Sequence, residues 1–357
     1  MQIKELLKML VDKDGSDLFY RTRATPRLRV DGKVVNAGTE EITLEQAKKA
    51  VEDLTTPEQR EVLKTKLDVD FALFLEDLKR RFRVSIFTQR GSPSMVIRNV
   101  RNYIQNFEEL KLPAEPLKKL SLENRGMVLL TGSAGSGKST TIASMIEYIN
   151  ANSQKHILTL EEPIEFIFKD KNSLINQRDL GIDVLSYEIA LRSFTLQSPD
   201  VIYIANIRDQ QTMAAALTAA ETGVLVLSTL HTINASQTVE RIINFFPPHQ
   251  HEQIRIQLSY LLKGVISLRL VPIKGKIGRI PAYEIMLLTP TISRLIREGK
   301  IWEMPQFIEE GSVFGMQSFN QTLVKLVREG TIGEAEATEF SDNREEFILL
   351  LKGIKKG

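Results

Sequence analysis

The sequence has no cysteine in its 357 residues, which excludes disulfides and thiolate metal sites and suits a reducing compartment. It also lacks any run approaching about 18 consecutive apolar residues, so no membrane-spanning helix is expected. The opening stretch, MQIKELLKMLVDKDGSD, scatters charges through an amphipathic pattern. It offers no long apolar core for a signal peptide. Charge of one sign is scarce too. The 47 basic and 45 acidic residues leave a net +2, giving no bulk attraction to nucleic acid or to a membrane surface. Repeats and low-complexity segments are absent. These absences together point to a cytoplasmic protein. What remains, 42% hydrophobic and 26% charged, is an ordinary globular composition, and the length fits two domains.

The most informative stretch is MVLLTGSAGSGKSTT, residues 127–141. Met127 to Leu130 read as a buried strand. Gly132, Ser133, Ala134, Gly135, Ser136, Gly137, Lys138 and Ser139 complete the pattern G-x-x-x-x-G-K-S/T, and Thr140 follows. Glycines let backbone N–H groups curl round phosphates with no Cβ in the way. A helix predicted over Lys138 to Asn150 aims its positive end at the same anion. In such loops the lysine reaches the β and γ phosphates and the hydroxyl, here Ser139, ligates Mg²⁺. Binding of a nucleoside triphosphate is therefore expected.

Along the chain, Ile3, Leu6, Leu7 and Leu10 recur at helical spacing up to Gly15. Short strands are predicted at Leu18–Arg21, Arg27–Val30 and Val34, with Asp31 and Gly32 as a hairpin turn. Thr43 with Gln46 forms a capping-box pattern opening a helix to Leu54, and Pro57 starts another. Alternating runs follow at 70–75, 81–87 and 94–98. Residues 1–100 thus read as an α+β domain with an antiparallel sheet. In RFRVSIF, Phe82, Val84 and Ile86 share one face and Arg81 and Arg83 the other, either a solvated face or cations offered to an anion. Residues 101–120, with Pro113 and Pro116, read as an interdomain connection.

From 121 to 290, apolar strands at Met127–Thr131, His156–Glu161, Asp200–Ala205 and Gly223–Thr229 alternate with helices, including Leu185–Leu196 and Gln210–Thr222. That argues for a parallel sheet covered on both faces, an α/β class. From 291 to 357 the pattern is helical, at Ile292–Glu298, Gly315–Glu329 and Glu334–Leu351, with a frayed tail.

Polar clusters sit at strand ends, where ligands bind in such sheets. Glu161, Glu162 and Glu165 just beyond one strand suit a metal or a water, or are a solvated loop. Asn206, Arg208 and Asp209 close an apolar strand, and His231 closes another. A lone histidine is more often structural; this one gains weight from its neighbours.

These stretches resemble the type IV pilus and type II secretion motor ATPases, in the PilT/PilU retraction branch. The specific strings are LTLEEPIEF, SPDVIYIANIRD, TAAETG with STLHT, and RIINFFP, joined outside the core by GSDLF, FRVSIFTQR, TISRLIREGK and GMQSFNQTL. The resemblance runs from about residue 3 to residue 340. It implies a PAS-like N-terminal domain, a RecA-like P-loop NTPase domain, a helical C-terminal region and a homo-hexameric ring binding ATP and Mg²⁺. Arg83, Arg90 or Arg98 would reach the phosphates, and Ser139 and Glu162 would serve the metal. Glu161, Glu162, Glu165, Asn206 and His231 would form the catalytic set, with Arg208 beside the nucleotide. It further implies an inner-membrane platform protein as partner, a peripheral location there, and a paralogous retraction ATPase alongside. TISRLIREGK resembles the family's retraction helix, with Ile292, Leu295 and Ile296 packed and Arg294, Arg297 and Glu298 outward.

The chain departs from the family where a glutamate polarises the attacking water: here Asn206 stands in its place. An amide can orient a water but cannot take its proton, and losing a general base commonly costs about 10²–10⁴ in rate. The Asp box carries Glu162 instead of aspartate, and Leu196 replaces a usual arginine. Three readings follow. The chain is a working retraction ATPase, or a weakly hydrolysing accessory subunit beside an active paralogue, or another RecA-like NTPase acting on nucleic acid. Near-neutral charge and the pilus-specific strings weigh against the last.

Overall fold

The computed structural model describes residues 2–30, 32–100, 103–194, 196–276 and 278–354. It divides into two compact units. One is Met1–Tyr103 with Glu165–Ile167; the other is Ile104–Ile164 with Phe168–Gly357. Asp31 of the expected hairpin turn, 101 and 102 of the expected connection, Thr195 of an expected helix and 355–357 of the tail lie outside the described residues.

The first unit runs α1 (Ile3–Asp12), β1 (Asp17–Arg21), β2 (Arg27–Val30), β3 (Lys33–Asn36), α2 (Leu44–Leu54), α3 (Pro57–Lys66), β4 (Asp68–Leu75), β5 (Arg80–Gln89) and β6 (Ser92–Val100). The apolar spacing of α1 buries the four residues that it nominates, Ile3, Leu6, Leu7 and Leu10. Thr43 and Thr56 each cap their helix in a reciprocal box, with Gln46 and Gln59. All the strands pair antiparallel in the order β3-β2-β1-β6-β5-β4. Phe82, Val84 and Ile86 point into the core while Arg81 and Arg83 stay half-buried on the other face.

One row of this sheet carries charge. Arg29, Asp17, Arg98 and Arg83 are successive cross-strand neighbours on β2, β1, β6 and β5. Asp17 is buried and ion-paired with both flanking guanidiniums, Arg29 at 3.2 Å and Arg98 at 3.0 Å, and accepts a hydrogen bond from Arg98.

The second unit continues with α4 (Ala114–Ser121), β7 (Gly126–Thr131), α5 (Lys138–Asn152), β8 (His156–Glu161), β9 (Leu174–Asp179), α6 (Tyr187–Phe194), β10 (Val201–Ile204), α7 (Gln210–Glu221), β11 (Leu225–Leu230), α8 (Ala235–Ile243) and α9 (His251–Leu261). Then come β12 (Leu262–Pro272), β13 (Arg279–Leu287), α10 (Pro290–Glu298), α11 (Met304–Glu310), α12 (Phe319–Arg328), α13 (Glu334–Phe340) and α14 (Arg344–Leu351). The sheet order is β13-β12-β7-β11-β10-β8-β9, parallel throughout except for β13. The central strands β7, β10 and β11 are buried along their whole length, as continuous apolar runs covered on both faces require. Phe107, Leu112, Leu117 and Leu120, from the stretch read as a connection, belong to this core.

The C-terminal helices correct the expected pattern in two places. α12 begins at Phe319 instead of Gly315, because Ser318 caps it in a box with Gln321 and Gly315 turns with φ +89°. The single helix expected over Glu334–Leu351 is two. Asn343 ends the run by accepting from the Glu345 and Glu346 N–H groups and opening α14. Phe319, Leu323 and Phe347 pack with Val271 and Ala282 in a separate small core. On α10, Ile292, Leu295 and Ile296 are buried, the expected packed face.

Candidate functional site

The glycine-rich loop lies between β7 and α5, and Lys138 is the first residue of that 15-residue helix. Ser139 and Thr140 follow in its first turn. The loop is shaped to hold an anion. Gly132 has φ +141°, and a Cβ there would lie 2.5 Å from both the Leu268 carbonyl and the Ser136 hydroxyl. Gly135 and Gly137 also have positive φ, with open space beside them. The Ser136 hydroxyl is buried and has no hydrogen-bond partner among the described residues. The ammonium of Lys138, itself buried, donates to the carbonyls of Gly132 at 2.7 Å and Ser133 at 2.9 Å. A glycine-lined loop closed to a side chain at Gly132, a lysine folded into it and a helix N-terminus behind it fit a polyphosphate.

The other strand ends supply the neighbouring groups. Glu161 ends β8 as a buried carboxylate, accepting from the Thr159 hydroxyl at 2.7 Å and the Gln177 amide at 3.0 Å. Gln177 lies opposite Thr159 on β9, so the edge strand braces the carboxylate. Glu162 is partly exposed and stands 3.5 Å from Arg208, itself largely exposed. Between exposed groups such a pair contributes little and leaves both available. Asp209 is spent as the N-cap of α7, accepting from the Thr212 N–H at 2.8 Å. Glu165, Arg83 and Arg98 belong to the first unit.

Asn206 and His231 meet. The amide Nδ2 of Asn206 lies 3.3 Å from Nε2 of His231. With the amide donating, Nε2 accepts and the ring proton sits on Nδ1. Burial, then the charges of Lys138 and Arg208, pull the imidazole below its ordinary value, opposed by a hydrogen bond with the Gly132 backbone. His231 is therefore neutral at physiological pH. The backbone beneath is pinned by side chains: the Ser228 hydroxyl donates to the Ile204 carbonyl at 2.7 Å, and that of Thr229 donates to the Ala205 carbonyl.

One site residue escapes sequence reasoning. Tyr187, the first residue of α6, has a buried hydroxyl without a hydrogen-bond partner among the described residues. Burial, followed by the charge of Glu162, pushes this phenol up to about 12 despite Arg208, so it remains a donor. Nothing in the local sequence marks it. A tyrosine opening an amphipathic helix reads as packing.

The family model described as "Type II/IV secretion system protein" matches residues 2–338. The type IV pilus ATPase PilU of Pseudomonas aeruginosa is 39% identical over 352 residues, 99% of this chain and 92% of that protein. The type IV pilus retraction ATPase PilT of the same organism is 39% identical over 347 residues, 97% of this chain and all of its own length. The crystal structure of the pilus retraction motor PilT with bound ADP superposes with a TM-score of 0.90 at 39% identity, covering 97% of this chain and 98% of that one. With the family model and full-length relatives matching nearly the whole chain, it belongs to the type II/IV secretion ATPase family, in its PilT/PilU pilus-retraction branch.

Proposed function

We propose that this protein is a motor ATPase of type IV pilus retraction that binds ATP with Mg²⁺ and assembles as a homo-hexameric ring. The observation that carries the reading is the P-loop: an intact anion cradle with Lys138 folded into it, on a chain of this family. In the working site, residues 132–140 hold the phosphates. Ser139 and Glu162 would hold the metal, whose positive charge would offset that of the phosphates. Glu161, held in place by Thr159 and Gln177, would be a fixed carboxylate beside that site. A phosphate contact by Arg83, Arg90 or Arg98 comes to this chain by its family; Arg98 is ion-paired with Asp17. Arg208, already balanced against Glu162, adds a cation beside the nucleotide. The platform partner, the cytoplasmic setting at the inner membrane and the role of α10 come to this chain by its family. No helix among the described residues is long and apolar enough to cross a membrane.

Hydrolysis is slow in this reading. The Asn206 amide cannot take a proton from water, and the accepting nitrogen of the neutral His231 is engaged by that amide. That observation favours a second role, an accessory subunit working beside an active paralogue. The test is ATP binding and steady-state hydrolysis by the purified protein and its Asn206→Glu variant. Binding without turnover in the wild type, and turnover in the variant, identify Asn206 as the limiting residue and support the accessory role. Wild-type turnover that the variant does not raise moves the base to Glu162 or Glu165 and makes the protein a motor in its own right. Failure to bind Mg²⁺-ATP would sink both roles.

A further inference from the structure

The segment from His231 to Asn234, between β11 and α8, is held at its C-terminal end by β12 and β13. Arg269 on β12 donates to the Ile233 carbonyl at 3.4 Å. Glu284 on β13 accepts from the N–H of Ala235, the first residue of α8, at 2.7 Å. The same carboxylate oxygen accepts from the Ser267 hydroxyl at 3.2 Å, and Ser267 accepts from the Thr131 hydroxyl at 3.0 Å. Thr131 directly precedes Gly132. A buried hydrogen-bonded chain therefore runs from the root of the P-loop to the start of α8. Arg269 extends it, donating to the Phe340 carbonyl at 2.6 Å, pairing with Asp342 and lying over the Phe319 ring at 3.8 Å. The corner between α13 and α14 is thereby joined to the site.

A carboxylate buried at a strand position costs free energy that an apolar side chain there would not. Desolvation pushes Glu284 up to about 7; Asp342 adds to this, while the Ala235 N–H, Ser267 and Arg269 oppose it. Packing alone does not call for that residue. We propose that Glu284 is a positioning residue of the nucleotide site, holding the His231 segment in register with the P-loop and, with Arg269, tying both to the C-terminal helices. The effect on nucleotide rests on the function proposed above; the placement of His231 does not. The imidazole reports that placement, because its acidity depends first on its burial and then on Lys138, Arg208 and the Gly132 backbone.

The experiment uses the full chain with carbon-13-labelled histidine. His231 is identified by the His231→Gln variant and titrated by NMR without nucleotide. Affinity for a fluorescent ATP analogue with Mg²⁺ is measured in parallel. Glu284→Gln retains an acceptor for Ala235 and Ser267 and is expected to keep both readouts. Glu284→Met is expected to move the His231 titration up toward the ordinary value, about 6.5, and to weaken nucleotide binding about threefold or more. A Met variant that only melts earlier, with wild-type titration and affinity, overturns the proposal and leaves Glu284 structural. Should that variant fail to fold, Ser267→Ala cuts the P-loop branch alone. It is expected to lose affinity with His231 unchanged, and unchanged affinity there overturns the proposal. A wild type that binds no nucleotide refutes the proposed function, and the His231 titration still decides what Glu284 holds.

Discussion

Two alanine substitutions in the same loop separate steric from conformational cost. At Gly132, φ is +141° and an added Cβ would lie 2.5 Å from the Leu268 carbonyl and 2.5 Å from the Ser136 hydroxyl. The serine can rotate away. The carbonyl belongs to β12, locked between β7 and β13, and cannot. At Gly135, φ is +75° and nothing lies within 4 Å. Gly135→Ala therefore meets only the left-handed backbone penalty, about 1–2 kcal/mol. Gly132→Ala meets a backbone penalty of that order together with an overpacking cost of about 1–3 kcal/mol, giving a total of about 2–5 kcal/mol. The assay is urea unfolding of the two purified variants without nucleotide, followed by circular dichroism. The expected order of stability is wild type, Gly135→Ala, Gly132→Ala, with the last two separated by about 1 kcal/mol or more. Equal destabilisation of the two variants would refute the argument that β12 forms the wall of the cradle.

Glu284 imposes a pH dependence. Its carboxyl ionises near 4.5 in the unfolded chain and at about 7 in the folded one. Between those values the folded protein holds a proton that the unfolded chain has released, so stability falls as pH rises through that window. The span corresponds to about 3 kcal/mol. Glu284→Gln should lack this loss, and melting at about pH 5 and about pH 8 checks it; parallel wild-type and variant profiles would count against it. Asp17→Asn removes the carboxylate between Arg29 and Arg98. Because those guanidiniums are 39% and 58% exposed, the expected cost is only about 1 kcal/mol and should shrink as salt is added. A cost that does not change with salt would show that the row is held by packing instead.

Much of the scaffold was legible because local chemistry and burial agreed. The four apolar residues of α1, the Thr43 box and the continuous runs of β7, β10 and β11 each point one way. Strand β9 did not stand out. LINQRD is an edge strand with mixed burial, and its job is to bring Gln177 to Glu161. β12 and β13 stayed unassigned because α9 runs without a break into Leu262, so helix and strand merge into one apolar stretch. The Thr131–Ser267–Glu284 chain was hidden for the same reason. Thr131 lies 136 residues before Ser267, which is itself 17 residues before Glu284, and only strand pairing aligns the three. Tyr187 was invisible because its importance rests on what surrounds its hydroxyl. The departure at Asn206 was plain in the sequence, whereas its contact with His231 needed the adjacency of β10 and β11.

The strand order has a consequence for how such a protein changes over generations. Lys138, His231, Asn206 and Glu161 follow four adjacent strands, β7, β11, β10 and β8, and each lies at or beyond its strand's carboxyl end. The residues that bury those strands are others. A duplicated copy can therefore exchange one group at a strand end, asparagine for glutamate at 206 for instance, without disturbing a single core contact. Catalytic power can drift or be lost while the scaffold, and whatever assembles on it, stays under separate selection.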